Sequence, residues 1–386
     1  MAPIPQINEV CKVSIGGFDY TYWTEMEFER AIGPVLSTCW LTTAELSSIN
    51  PAAGFSNIQL MVGRKAQVSL AGQIVITGTI DVRQVVYDGQ AHYVKIRIAS
   101  NTGGLVASTT DHRIDGQGGQ FLNQPFSQIA TVIGNNVGVN IITSDPSNIP
   151  FERVSVQPGQ MRSDFLNTLA VQRNLYPVDN PYGELTYSQM GLDGSGLSLV
   201  EGENIFSARV TLRNDFLVEK VDYQGAGPGT DPANGSTVSQ VEATAYNSAY
   251  TGGPRPYVVM SEHTTTVAEA QLRANAEMAH IALTAVEAEI TVQGWLCSDG
   301  KIWERKLGKN INLISPMILP VGSQGCTLGI QAVKHIQSNE KGTITILTLV
   351  LPNAIGGGIL NYNPGTGAGL IPGSDNILPP TFNPTP

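Results

Sequence analysis

Charge is scarce in this chain. Asp, Glu, Lys and Arg make up 14% of its 386 residues, where ordinary soluble proteins carry roughly 25%. A surface so poor in charge reads as one covered by partners, because isolated proteins rely on charge to stay in solution. Basic clusters are missing as well. The 22 Lys and Arg against 32 Asp and Glu leave a net charge of −10, which excludes a phosphate-neutralising nucleic-acid binder. The acidic balance still suits a surface past which DNA slides without sticking. Only four cysteines occur, Cys11, Cys39, Cys297 and Cys326, and no C-x-x-C pair joins them, so they read as small buried hydrophobes. The five histidines (His92, His112, His263, His280 and His335) never stand at metal-ligand spacing. No apolar run is long enough for a membrane span, the longest being Thr343 to Leu351. The start, Met1-Ala2-Pro3-Ile4-Pro5, has neither the basic segment nor the apolar run of a signal peptide. The expectation is synthesis in the cytoplasm without an export signal or membrane anchor.

Catalytic signatures are absent too. The sequence holds no G-x-S-x-G, Walker A or H-E-x-x-H motif. Gly225-Ala226-Gly227-Pro228-Gly229 lacks the strand-to-helix setting of a nucleotide loop and reads as a turn. Asp111-His112-Arg113-Ile114-Asp115 is the densest polar cluster, and it reads as loop structure. A muramidase would need two carboxylates flanking a cleft, and nothing singles out such a pair. No catalytic, cofactor-binding or metal-binding residue is therefore assigned.

What the chain does have is turn chemistry, with 41 Gly and 23 Pro. A strand-turn-strand phrase occurs twice, as Val13-Ser14-Ile15-Gly16-Gly17-Phe18-Asp19-Tyr20 and as Val68-Ser69-Leu70-Ala71-Gly72-Gln73-Ile74-Val75-Ile76-Thr77-Gly78. Alternation of apolar and polar residues around Gly predicts two hairpins. Strands are expected over nearly all of residues 10 to 100. In one of them Glu25, Glu27 and Glu29 fall on one face and Met26 and Phe28 on the other, which reads as a solvated carboxylate face. From about residue 105 to 202 the pattern becomes an α+β module. Asn123 is placed to cap a helix with Phe126, Ile129, Ala130 and Ile133 on one stripe, and a second helix follows Pro158-Gly159 with Met161, Phe165, Leu166, Leu169 and Ala170. Strands return at 207–212 and 216–224. A capping box, Thr266 with Glu269, opens an Ala-rich helix, and a second β set runs from Glu289 to Leu351. Residues 353–386 form an arm with seven Gly, six Pro and a single charged residue, Asp375. Its apolar pairs, Ile359-Leu360, Leu370-Ile371 and Ile377-Leu378, read as anchors for another subunit, as when a strand is added to a partner's sheet.

In their order along about 340 residues these segments resemble the baseplate hub proteins of contractile-tailed phages, of the Mu type, related to late control D proteins. The entry Val13-Ser14-Ile15-Gly16-Gly17 with Tyr22-Trp23 and Glu29-Arg30 looks like that family's opening strand pair. Val75-Ile76-Thr77-Gly78-Thr79-Ile80-Asp81 is similar to its V-x-T-G-Y-I-D phrase, with Thr79 where an aromatic is common. Ser100 to Val106 looks like its R-S-x-x-x-D-L-V segment without the Arg and Asp. Pro158-Gly159-Gln160, Gly183-Glu184-Leu185-Thr186 and the Gly294-Trp295 to Trp303 strand pair fit it as well. The resemblance implies a mainly β fold with α+β insertions: two small β-barrel domains, an α+β module and an extended C-terminal arm. The domains would be 1–104, completed in one version by strands within 203–224, then 105–202, 203–352 and the arm 353–386. It further implies a non-enzymatic homotrimer in the virion baseplate, joining the hexameric tail tube and other baseplate proteins to the trimeric central spike. DNA would pass through its channel unbound. The rival expectation is a tail-associated peptidoglycan hydrolase, and a third is a monomeric carbohydrate-binding or adhesin module.

Overall fold

The computed structural model of the chain describes residues 9–44, 60–88, 92–145, 148–189, 193–227, 240–247, 250, 252–264, 266–283, 285–318 and 325–352. Both hairpin phrases fold as read. Strand β1 (Cys11–Ile15) turns through Gly16 and Gly17, both at positive φ, into β2 (Phe18–Tyr20). Strand β5 (Lys65–Leu70) turns through Ala71 and Gly72, also at positive φ, into the long β6 (Gln73–Tyr87). Two successive left-handed residues give the twist that a two-residue hairpin turn needs. The phrases are neighbours in space, since β1 also pairs with β5.

These strands belong to a 13-stranded sheet. Its N-terminal part runs from β3 (Glu25–Ala31) through β4 (Thr38–Ala44), β7 (His92–Ser100), β6 and β5 to β1 and β2. Its C-terminal part runs from β14 (Ser207–Leu212) through β18 (Val286–Gln293) and β21 (Gly342–Val350) to β20 (Cys326–Ser338). Beyond that, β19 (Asn310–Ile314) pairs with β20, and β13 (Gly194–Val200) pairs with β19. The two parts meet where β20 pairs antiparallel with β3. The mainly β class is as expected, but no ladder among the described residues closes either part into a barrel. Each part instead curls over its own apolar face. One core gathers Val13, Phe28, Leu41, Val68 and Ile96, with Trp295 and Ile302 contributed from the far end of the chain. The other gathers Val286, Ile290, Leu313, Leu328 and Leu347.

Strand order repeats between the two parts. The series β3-β4-β7-β6-β5-β1 matches β14-β18-β21-β20-β19-β13. The match extends to single hydrogen bonds. At the bulge of β6, Gly63 N donates to Ile80 O (2.8 Å) and Ile80 N to Arg64 O (2.9 Å). At the bulge of β20, Gly308 N donates to Ile330 O (2.9 Å) and Ile330 N to Lys309 O (3.0 Å). Thr24 N reaches Thr42 O as Phe206 N reaches Thr291 O, each at 2.8 Å. Strand β14 lies on β18, and β15 (Lys220–Ala226) joins a small separate sheet between β16 (Gln240–Tyr246) and β17 (Pro256–Thr264). Strands 203–224 therefore do not complete the N-terminal sheet. Residues 207–212 sit on the C-terminal sheet because their alternation continues that core through the partly buried Val210.

The α+β module carries helices α1 (Gly103–Val106), α2 (Phe126–Asn135) and α3 (Arg162–Gln172) with two short sheets. Phe126, Ile129, Ala130 and Ile133 are buried as the 3.6-residue period required. Asn123 is not the cap: it sits at positive φ just before the end of strand β8 (Gln120–Gln124), and Pro125 takes the N-cap position. Met161 is half-exposed at the start of α3, so the buried stripe begins at Phe165. Helix α4 (Val267–Leu283) opens with the expected capping box, Glu269 N donating to Thr266 Oγ1 (3.3 Å) and Thr266 N to Glu269 Oε2 (3.0 Å). Its alanines serve two cores. Ala270 and Ala274 pack on the small sheet, while Ala279 and Ala282 pack on the large one.

Candidate assembly interface

Three buried charges fasten the three parts of the chain together. Arg30 lies on β3, whose Met26, Phe28 and Arg30 all point inward. Its Nε donates to Asp179 Oδ1 (3.0 Å), its Nη1 to Glu304 Oε1, and its Nη2 to the carbonyl of Val75 (2.6 Å). Asp179 ends β11 (Tyr176–Asp179) of the α+β module, and Glu304 belongs to a 3-10 turn, Trp303–Lys306, of the C-terminal part. Ser37 Oγ also donates to Asp179, and Arg305 lies 3.5 Å from Glu304 Oε2. Isolated buried charges cost several kcal/mol each, so a guanidinium with its fork filled is what makes the two carboxylates tolerable there. An apolar satellite of Ile32 and Val350, flanked by Tyr176, Val178, Leu283 and Leu307, seals the same junction.

His335 sits beside it, fully buried, stacked on Phe28 and edge-on to Trp295. Thr345 Oγ1 donates to Gly294 O (2.7 Å), which leaves the threonine hydroxyl oxygen to accept from His335 Nδ1 (2.8 Å). Burial, with the charge of Arg30 adding, lowers the imidazole to about 3, so it stays neutral. The segment before β1 is anchored by Glu9, whose Oε1 accepts from the backbone of Trp295 (2.6 Å) and Leu296 (3.2 Å).

The densest polar cluster is loop structure. Asp115 is buried, accepts from Arg162 Nη2 (2.9 Å), Asn136 Nδ2 (2.8 Å) and its own loop's Asp111 N (2.7 Å). Asp111 forks onto Arg113, whose hydrogen bonds hold the carboxyl at about 2, and His112 stands 3.7 Å away in the open. Glu27 and Glu29 lie on the outer face of β3 near Lys334 (2.7 and 3.9 Å), an ion pair across the junction of β3 with β20. Among the described residues no group of three His, Cys, Asp or Glu could hold a metal, and no helix is long and apolar enough to cross a membrane. All four cysteines are buried and unpaired. Burial pushes Cys11, Cys297 and Cys326 up to about 12 and Cys39 well above its ordinary range.

What remains open is the ends of the sheet. Among the described residues, β14 has a strand partner on one side only, β18, and residues 82–86 of β6 are paired with β7. Exposed apolar side chains cluster there, Val85 on β6 and Phe206, Leu212 and Phe216 around β14.

Residues 10–98 match the N-terminal domain of Mu phage baseplate assembly protein GpP-like proteins, and residues 102–189 match the second domain of baseplate hub protein gp44-like proteins. The baseplate hub protein gp44 of Escherichia phage Mu is 24% identical over 293 residues, 74% of each chain. In both matched regions the chain is similar to Mu-type baseplate proteins. Two solved structures share its fold. The prophage MuSo2 43 kDa tail protein of Shewanella oneidensis superposes with a TM-score of 0.73 over 90% of this chain and 99% of its own, at 23% identity. The tail protein of Neisseria meningitidis MC58 does so at 0.73 over 91% and 98%, at 16% identity. The proteins it is similar to are phage tail and baseplate proteins. Its expected partner-binding residues, Ile359, Leu360, Leu370, Ile371, Ile377 and Leu378, lie outside the described residues. Sequence reading missed the Arg30 node. The available signal was that Arg30 continues the inward alternation of Met26 and Phe28, where a lone charge demands partners.

Proposed function

We propose that the hub chain works as a non-enzymatic homotrimer that joins the hexameric tail tube to the trimeric spike around a DNA channel. The observation that carries this is the repeated strand order within one chain, β3-β4-β7-β6-β5-β1 and β14-β18-β21-β20-β19-β13. Three chains with two like halves present six like surfaces to a six-fold tube and keep three-fold symmetry for a spike. In this reading the domains are 1–104 and 203–352 for the two halves, 105–202 for the module between them, whose last strand, β13, pairs onto the C-terminal sheet, and 353–386 for an arm that docks through Ile359, Leu360, Leu370, Ile371, Ile377 and Leu378 on a neighbouring subunit or the spike. Each half curls around its own apolar core, so the polar sheet face with Glu25, Glu27 and Glu29 turns toward the channel.

Native mass measurement of the full chain tests the assembly: a trimer is expected, and a monomer at assembly concentrations overturns the reading. A zymogram on peptidoglycan tests the absence of activity, with a clear band overturning it. A chain ending at residue 352 is expected to lose spike attachment in assembled tails, and unchanged attachment removes the arm from the proposal.

A further inference from the structure

Strand β21 ends beside the end of α4. Leu349 stands opposite Ala288, so antiparallel pairing carries Leu351 to the level of Val286, just past Leu283, the last residue of α4. Val350 is buried there in the satellite that Tyr176, Val178 and Leu283 flank. The arm therefore starts at the C-terminal end of α4. Along the same helix, toward its N-terminal end, a groove separates α4 from the end of α3. It consists of two adjoining hollows of about 210 and 330 Å³ that share Ile149, Gln172, Arg173, Glu269 and Leu272. We infer that in the free chain Ile359 and Leu360 dock in this groove of their own chain, and leave it when the arm engages its assembly partner. This rests on the reading of 353–386 as a docking arm and adds where the arm is held beforehand.

Reach selects the chain's own segment. From Leu283 back to Leu272 along α4 is about 17 Å at 1.5 Å per residue. From Pro352 to Ile359 an extended chain covers up to about 23 Å at 3.3 Å per residue, so the first apolar pair arrives with slack. Gly356, Gly357 and Gly358 stand immediately before it, and glycine lets the chain turn back along the helix without steric cost. Tyr176 links the two places: it flanks the satellite of Val350 and lies within electrostatic reach of Arg273 and Glu277 on α4. The groove also suits an uncharged apolar guest. Leu272 is 61% and Ile149 40% exposed at its rim, and the wall continues through Val171 and Ala276. Covering these side chains together with the pair removes apolar surface from water. The arginines of the groove already have partners. Arg173 donates to Glu269 Oε1 (2.6 Å) and lies over the Phe151 ring (4.2 Å), and Arg273 pairs with Glu277 (2.9 Å). A charged ligand would have to break these pairs, whereas residues 353–374 carry no charge.

The test uses the full chain with Gln172→Cys at the groove and Asn361→Cys beside the pair, the native thiols being buried. A short bis-maleimide at low protein concentration is expected to link the two within one chain, read as altered mobility at monomer mass on a denaturing gel. Leu272→Asp changes an exposed helix position, so the far-UV spectrum is expected to stay as it is. The same change is expected to remove most of the link and to speed subtilisin cleavage between residues 353 and 361 about tenfold, the share of one buried apolar side chain. In assembled tails the link is expected to disappear. Links only between chains put the arm in a neighbour's groove and overturn docking within the chain, while the arm reading stands. No link, or a link indifferent to L272D, overturns the groove. A link that persists in assembled tails overturns the release, and unchanged spike attachment by a chain ending at 352 overturns the arm reading itself.

Discussion

Arg30 shows what a single buried charge does for this chain. Replacing it with Met leaves Asp179 and Glu304 facing one another without the guanidinium between them. Breaking a buried ion pair from one side costs about 3–5 kcal/mol, so R30M is expected to lower the urea midpoint by that equivalent, with part recovered when Asp179→Asn is added. An R30M chain within 1 kcal/mol of the parent, roughly the worth of an exposed pair, would assign the node no structural weight. His335 gives a pH dependence with a definite sign. Its folded value of about 3 lies below the ordinary 6.5, so below 6.5 the unfolded chain binds a proton that the folded chain refuses. This contribution to stability is complete above 6.5 and is lost as pH falls toward 3, by up to about 1.4 kcal/mol per unit. Denaturation at a series of pH values should show a flatter acid limb for His335→Phe, which keeps the stacking on Phe28. Equal slopes for variant and parent would remove His335 from the acid response. Both residues were legible in the sequence only as inward positions of alternating strands; their partners are 149 and 10 residues away and belong to tertiary structure.

Elements were more legible than their termini. The hairpins, the stripes of α2 and α3 and the capping box of α4 rest on local rules, and they fold as those rules require. Asn123 misled because Asn favours both N-caps and left-handed backbone, and here it takes the second. Two glycines in one phrase make opposite demands. Gly72 turns the hairpin at positive φ with open space around it, so Gly72→Ala meets only backbone strain of about 1–2 kcal/mol. Gly78 has no such φ, but a Cβ there would lie 1.8 Å from the carbonyl oxygen of Ala99, a backbone atom that cannot step aside. Gly78→Ala is therefore expected to be the more damaging of the two, at about 3 kcal/mol, the upper end of overpacking. Thermal melts of the two variants give the order, and a less stable G72A would reverse the account. The phrase alone could not separate these roles, since close approach of β6 to β7 is visible only once the sheet is formed.

At the scale of the molecule, the duplication was expected between the first hundred residues and the later strands, but its carrier is not a repeated phrase. The two similar hairpin phrases lie side by side in the N-terminal part, whereas the halves share strand order, bulge position and hydrogen bonds with little common sequence. Different side chains satisfy one backbone plan, so Leu212 stands where Arg30 stands and Arg83 where Val333 stands. If the halves form a continuous ring, their polar faces set the charge that passing DNA meets. Glu25 and Glu287 lie on that face away from the Lys334 ion pair, both exposed. Exchanging them for Lys places basic groups in every copy around the channel. Phosphate contacts with such groups weaken as salt rises, because bound counterions are released on binding. Tails carrying E25K/E287K are therefore expected to eject DNA more slowly than the parent at about 50 mM salt and at nearly the parental rate at about 200 mM, the interval over which such contacts lose most of their strength. Equal ejection at both concentrations would move this sheet face out of the channel wall.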